Sequence, residues 1–538
     1  MRKVKRLLFL LAFLPVAAFA QQEFEVIRGN CLPDISDDVP AVGNRVGAVR
    51  QKLPAINTNW NPEKTYRQMV ILVNYVDSVF SCENPKAFFE KILNEPGYNE
   101  GNGPGCAADY FRSQSNGMLN LQFDVFGPVK VSQKAQPYEN PTSSTKNYAD
   151  NALYEAANKV LLENPTLDYS VYDWNGNGYI NQVIFVCASF SGNASSPYFN
   201  TNGFLWPNTS SISTITTPDG LKISNYSACA ELWPTKTPRS CGFSTICHEF
   251  SHSLGLPDIY PTNSSAGYSV CDEWDLMDGG NFTNYGWCPV NYTALEKMLM
   301  GWLTPVELTE DSLTIEGLKP VEEGGNAYII KHSDDEWLLL ENRQQRGWDA
   351  GAPGKGLVIY HVNYSASVWK NNKVNNDATK RRFELVHADN MDYDAWDDYL
   401  TQAGLGSYEH SQKMNRRLLS TSPYPWIDDS TGGVLNDSLT DTSVPAAVMF
   451  YPGLTGNPLF NKPITNIKMT DEGLISFDFM GGAPVVVDGI TTHPFTLHSS
   501  PFTCHQIYDL NGRRLAAEPQ KGVYVIRKQD GTIRKIFK

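Results

Sequence analysis

The sequence predicts an α+β protein, and three observations carry that prediction. Residues 66–77 (YRQMVILVNYVD) form a continuous apolar run of the kind that a strand covered on both faces requires. Several segments before residue 304 repeat apolar residues at helical spacing, whereas from about Leu313 the texture changes to short β-rich runs broken by Gly, Asn and Asp. At 538 residues the chain exceeds one ordinary core. It divides into residues 1–20, 21–62, 63–304, 305–482 and 483–538.

Taken in order, the first twenty residues have the form of an export signal. Arg2, Lys3, Lys5 and Arg6 precede an apolar run over 7–16, and Ala18-Phe19-Ala20 makes a small-x-small cleavage site, so the mature chain begins at Gln21. The run is short for a bilayer span, no Cys follows the site directly, and no later stretch approaches a transmembrane length, so no integral span is expected after cleavage. Residues 21–62 are polar and contain prolines, as a propeptide or N-terminal segment would. After the strand at 66–77, helices are expected over 86–95, over 109–118 beyond the Gly101-Asn102-Gly103-Pro104 breaker, and over 147–164, with a strand at 180–189. The later runs 326–332, 337–342, 356–363 and 383–389, with a hairpin across 464–480, read as a β-sandwich-like region. Gly481-Gly482-Ala483-Pro484 reads as a linker. A small C-terminal β module follows, in which 523–526 and 533–537 flank an Asp530-Gly531 turn.

Composition excludes some functions. A net charge of −14 with thinly spread Lys and Arg lacks the basic footprint of nucleic-acid binding. Ten cysteines in an exported chain favour some disulfides, and the lack of paired CxxC clusters argues against a cysteine-ligated zinc.

The chemistry concentrates at His248-Glu249-Phe250-Ser251-His252. On a helix, positions i and i+4 share a face, so two imidazoles can meet one zinc ion while Glu249 lies beside its water as general base. This short pattern alone would arise by chance in roughly one chain in a hundred of this composition. A catalytic zinc needs a third protein ligand and an open position. Gly255 can take the left-handed conformation that ends a helix and Pro257 blocks its resumption, which turns Asp258 back toward the metal. Glu273, Asp275 and Glu296 could also supply that oxygen.

The run HEFSHSLGLPDIY (248–260), followed by Glu273-Trp274-Asp275-Leu276-Met277-Asp278-Gly279-Gly280, resembles the immune inhibitor A family of secreted bacterial metallopeptidases, itself akin to the metzincins. The resemblance implies a metzincin-like zinc peptidase domain, protein or peptide substrates, and a methionine turn at Met277 that floors the metal. It extends over about 68–482 through Asp109-Tyr110-Phe111, Ser115-Asn116-Gly117, Glu296-Lys297, Gly301-Trp302, Glu341-Asn342-Arg343-Gln344 and Pro353-Gly354. Two departures stand out. Ile259-Tyr260-Pro261 follows Asp258 where the family often continues with an acid, and Leu205-Trp206-Pro207 lacks the His often found in the tryptophan motif ahead of the site.

Three secondary features complete the reading. Asp173, Asn175, Asn177 and Asn181 are spaced like the first half of a calcium loop, yet Ile184 stands where an EF-hand has its closing Glu, so Ca2+ binding and a plain Asn-Gly turn weigh equally. Cys31, in Arg28-Gly29-Asn30-Cys31-Leu32-Pro33-Asp34, resembles the cysteine switch of some metzincin propeptides, although a disulfide partner is the simpler role. The tail, with Tyr508-Asp509-Leu510-Asn511-Gly512 and Gly522-Val523-Tyr524-Val525-Ile526, resembles the sorting domains of Bacteroidetes type IX secretion. That resemblance implies contact with secretion machinery and an extracellular or cell-surface location. Tyr285 is a conceivable oxyanion donor, and His361 reads as a satisfied strand histidine. The expected function is a secreted zinc endopeptidase; the rival is a non-catalytic surface adhesin that keeps the fold, against which the intact Glu249 speaks.

Overall fold

The computed structural model describes residues 53–136, 148–263, 270–392, 395 and 419–488, apart from 195, 197, 237, 310 and 452–458, together with four strands between 506 and 537. The export signal, Cys31, Cys504 and the Asp530-Gly531 turn lie outside these residues.

The first sheet is built from β1 (Thr65–Asn74), β2 (Asn120–Lys130), β3 (Val183–Phe190), β4 (Asn208–Thr216), β5 (Lys222–Trp233) and the short β6 (Arg239–Ser240). Its order is β2-β1-β3-β5-β4, with β6 beside β5. The first four strands run parallel, and β4 is an antiparallel edge. Alternation along β1 explains its unbroken apolar run. Val70 and Leu72 face a core shared with helices α1 (Pro85–Asn94) and α2 (Ala107–Gln114), while Met69, Ile71 and Val73 face the opposite core under α3 (Tyr148–Glu163). Helix α3 supplies a two-wide apolar stripe, Ala152, Leu153, Ala156, Ala157, Val160 and Leu161, to that second core. Asn84 caps α1, with Pro85 in its first turn, and α2 starts in a capping box between Cys106 and Asp109. The expected helices and the first and third strands are therefore present. β2, β4 and β5 were not anticipated.

Helix α4 (Ser244–Ser253) lies on the α1/α2 side and packs against β4 and β5. After α5 (Ala294–Leu299) comes a five-stranded sheet of order β12-β11-β10-β9-β7, made of β7 (Val306–Glu307), β9 (Tyr328–Lys331), β10 (Glu336–Arg343), β11 (Gly356–Asn363) and β12 (Phe383–Leu385). Both β10 and β11 are buried along their whole length. Ile329, Trp337, Leu339, Val358, Tyr360 and Val362 join the core that holds α4. Ile330, Leu338, Leu340 and Ile359 join another, filled from a second sheet by Leu313 and Ile315 of β8 (Leu313–Leu318) and by Phe477 and Phe479. One apolar core thus runs across residue 304.

Some expectations need correction. The Gly481–Pro484 stretch is no linker, because it turns directly into a strand, Val485–Val487, that pairs with β8. The segment from Leu53 onward is built into the body. Leu53 is buried and Trp60 donates its ring N–H to the Met300 carbonyl at 3.1 Å while packing on Tyr66 and Trp302. Among the described residues the eight cysteines (82, 106, 187, 229, 241, 247, 271 and 288) are unpaired rather than bridged. All but Cys82 are buried, and burial pushes the Cys106, Cys187 and Cys288 thiols up to about 12, so they act as small apolar fillers. No helix among the described residues is long and apolar enough to cross a membrane.

Candidate metal centre

Helix α4 begins after Gly242, whose positive φ of 66° lets the chain pass against Gly286, and a Cβ there would lie 2.2 Å from the Gly286 carbonyl oxygen. It ends at Leu254. Gly255, at φ 102°, then turns the backbone so that Gly255 N–H and Leu256 N–H bond back to the His252 and Ser251 carbonyls. That turn places the Leu256 carbonyl 2.8 Å from His252 Nδ1. One turn earlier on the helix, His248 Nδ1 lies 2.7 Å from the Leu276 carbonyl. A carbonyl can only accept, so both rings carry their proton on Nδ1 and present Nε2 as a lone-pair donor.

The two Nε2 atoms converge on Asp258. His248 Nε2 and His252 Nε2 each stand 3.3 Å from Asp258 Oδ1, and all three residues are essentially sealed from solvent. Their donor atoms lie within 4.8 Å of one another, the one such group of His, Cys, Asp or Glu among the described residues. Donors held about 2.0–2.2 Å from a tetrahedral ion stand roughly 3.3–3.6 Å apart, so this set of two nitrogens and one oxygen fits zinc. Glu249, on the same helix, brings Oε2 to 4.0 Å from His252 Nε2. Thr209 of β4 stands behind this carboxylate, with its Oγ1 2.9 Å from Glu249 Oε2 and 2.7 Å from the Glu249 carbonyl oxygen.

Among the acids that could have completed the set, only Asp258 joins the histidines. Asp275 and Glu296 go to each other. Burial, with the nearby Glu296 and Asp278, holds Asp275 well above the usual carboxylate range, and burial lifts Glu296 to about 7 against the hydrogen bonds of Thr293. Asp275 Oδ1 accepts from Met277 N–H at 2.6 Å, and Glu296 Oε2 caps α5 through Thr293 N–H at 2.7 Å. Glu273 is buried in the turn ahead of them. Met277 is fully buried, and its carbonyl accepts Ile259 N–H at 2.8 Å, which ties the Met277 turn to the loop carrying Asp258. The Tyr260 ring lies nearly parallel to that of His248, 6.4 Å between centroids.

The calcium-or-turn alternative at Asp173–Asn181 and the expectation for His361 both turn on local hydrogen bonds. The Asp173–Asn181 loop spends its side-chain oxygens on its own backbone: Asp173 accepts from Asn177 N–H and Gly178 N–H, Asn177 from Tyr179 N–H, and Asn181 from Trp174 N–H. That is an Asn-Gly turn, and calcium is not supported there; Asn175 is exposed. His361 is a satisfied strand histidine, with Nε2 2.8 Å from Glu336 Oε1 and Nδ1 3.3 Å from Glu384 Oε1. Tyr285 offers its carbonyl to the Trp233 ring N–H at 2.9 Å.

Sequence reasoning also missed the supports around the centre. Arg343 reaches the Met277 turn from β10, with Nη1 3.2 Å from the Trp274 carbonyl, and it clamps Asp349 through Nε and Nη2 at 2.5 and 2.6 Å. Asp349 in turn accepts Asn291 N–H at 2.9 Å. The Glu341-Asn342-Arg343 run was the available signal, since a buried arginine in an apolar strand demands nearby carboxylates.

The chain is distantly similar in sequence to known peptidases. The pre-pro-metalloprotease PrtV of Vibrio cholerae serotype O1 is 22% identical over 329 residues, which cover 51% of this chain and 35% of that protein. Immune inhibitor A of Bacillus thuringiensis subsp. alesti is 22% identical over 326 residues, covering 51% of this chain and 46% of its own length. The matched region therefore spans between a third and a half of these relatives. Residues 64–300, which contain α4, Asp258 and Met277, match the catalytic domain of the immune inhibitor A peptidases, family M6.

Proposed function

We propose that this chain is a secreted zinc-dependent endopeptidase, in which His248, His252 and Asp258 hold the ion and Glu249 is the general base. The observation that carries the reading is the convergence of two imidazole Nε2 atoms and one carboxylate oxygen at 3.3 Å, beside a carboxylate on the same helix. A bound zinc would lower the pKa of a water in its open position towards neutrality and polarise the scissile carbonyl. Glu249 takes the proton of the attacking water and returns it to the leaving amine. Thr209 orients that carboxylate, the Leu276 and Leu256 carbonyls hold the two rings, and Met277 closes the floor. Substrates are proteins or peptides, the signal-like start and sorting-like tail direct the chain out of the cell, and the tail engages the secretion machinery.

A casein digest with and without chelator, comparing the protein with Glu249→Gln, tests this. The expected result is chelator-sensitive cleavage in the first and none in the second, with equal zinc uptake by both. Equal cleavage in both samples would defeat the assignment.

A further inference from the structure

Well beyond the matched catalytic region, the chain returns to the metal centre. Helix α6 (Ala366–Lys370) is followed by the segment Asn371-Asn372-Lys373-Val374-Asn375-Asn376, and three of its asparagines grip the loop that carries Asp258. Asn376 Oδ1 accepts Thr262 N–H at 2.7 Å and Asn263 N–H at 3.1 Å, while Asn375 Nδ2 donates to the Ile259 carbonyl at 2.8 Å. Asn372 goes to Asp258 itself. Its Oδ1 accepts the Asp258 backbone N–H at 2.7 Å, and its Nδ2 donates to Asp258 Oδ2 at 2.6 Å.

These two bonds set the amide's orientation without ambiguity, because the N–H needs an acceptor and the carboxylate needs a donor. They bracket the acid from both ends. With Oδ2 engaged by the amide, the oxygen that faces both imidazoles is Oδ1. Asn372 is 3% exposed and takes a positive φ of 53°, a conformation that asparagine and aspartate tolerate far better than other side chains. Position 372 therefore asks for a short side chain, at ease in left-handed backbone, that offers one acceptor and one donor.

We propose that Asn372 is a positioning residue of the metal centre, which aims Asp258 Oδ1 at the ion and makes the centre depend on chain outside residues 64–300. The inference rests on the metal-binding reading above. Partners that orient a metal ligand are typically worth about 10–100-fold in metal affinity.

The test is the zinc affinity of the full chain, measured by chelator competition, for the wild type, Asn372→Gly, Asn372→Asp, Asp258→Asn and the Asn372→Gly/Asp258→Asn double variant. Thermal unfolding of the zinc-stripped proteins is followed alongside. Glycine removes both bonds without backbone strain, and aspartate keeps shape and acceptor but loses the donor. Both single variants at position 372 are expected to bind zinc about 10–100-fold more weakly. Asn372→Gly should cost nothing further once Asp258 is already changed, because its effect passes through that residue. Wild-type affinity in Asn372→Asp overturns the inference, as does an equal loss from Asn372→Gly with and without Asp258. A wild type that takes up no zinc defeats the peptidase reading, a result distinct from either.

Discussion

Replacing Thr209 by valine should slow catalysis while leaving the metal in place. The Thr209 hydroxyl has one proton and two nearby acceptors on Glu249, the carbonyl oxygen at 2.7 Å and Oε2 at 2.9 Å. Ser227 Oγ already donates to that carbonyl at 2.9 Å, and Gln182 Nε2 donates to Ser227. The Thr209 proton is then shared between the carboxylate and Ser227 Oγ, 2.8 Å away. Valine keeps the shape and strand preference of threonine and removes only the hydroxyl. A hydrogen bond to a charged group contributes about 1.5–3 kcal/mol, so kcat/KM should fall roughly 10- to 150-fold. The loss should sit in kcat, because Glu249 acts on the proton in flight rather than on substrate binding. Zinc content should match the wild type, since the hydroxyl bonds Glu249 rather than His248, His252 or Asp258. Initial rates on a quenched fluorescent peptide, with zinc measured by atomic absorption, give both numbers. A variant within twofold of wild-type kcat/KM at equal zinc would refute the role given to Thr209.

Other outcomes follow from the same structure. Arg343→Met leaves Asp349 buried without its counter-charge and should cost about 3–5 kcal/mol in urea unfolding; a loss under about 1 kcal/mol would show that Asp349 does not depend on Arg343 for its charge. Burial opposes the charge on His361, but the hydrogen bonds of Glu336 and Glu384 outweigh it and raise its pKa from 6.5 to about 9. A raised pKa stabilises fully below about 6.5 and is lost as pH climbs towards 9, a difference of roughly 3 kcal/mol. His361→Gln should accordingly flatten the unfolding profile over that window, and a slope that survives the substitution would assign it elsewhere. Gly255→Ala puts a Cβ 2.8 Å from Ile56 Cγ1 at a φ of 102°, so a cost of about 1–3 kcal/mol and weaker zinc binding through the displaced Leu256 carbonyl are expected; unchanged unfolding and affinity would contradict this.

Much of the centre was legible because its parts are local. Two histidines four residues apart with a glutamate between them share a helix face by backbone geometry alone, and Gly255 with Pro257 announces the turn that follows. Continuous apolar runs such as that of β1 marked strands, since only burial on both faces tolerates them. The polar edge β4 (NTSSISTIT) carries no such run, because most of its side chains are only partly buried, and its place behind Glu249 stayed hidden.

The sequence by itself thus determined the helix, the two histidines and the glutamate placed along it, and the glycine that ends it, all governed by bonds spanning a few residues. Which of Asp258, Glu273, Asp275 and Glu296 meets the imidazoles depended on where the loop after the helix travels, and long-range packing decided that. Asp275 and Glu296 are drawn to each other, whereas Asp258 is held by Asn372 from 114 residues away. The fate of the cysteines was likewise tertiary, because a thiol's partner depends on which core wall it lines. Contacts across such distances leave no period in the sequence, since the loop between them can take many lengths and courses at little cost in closure entropy.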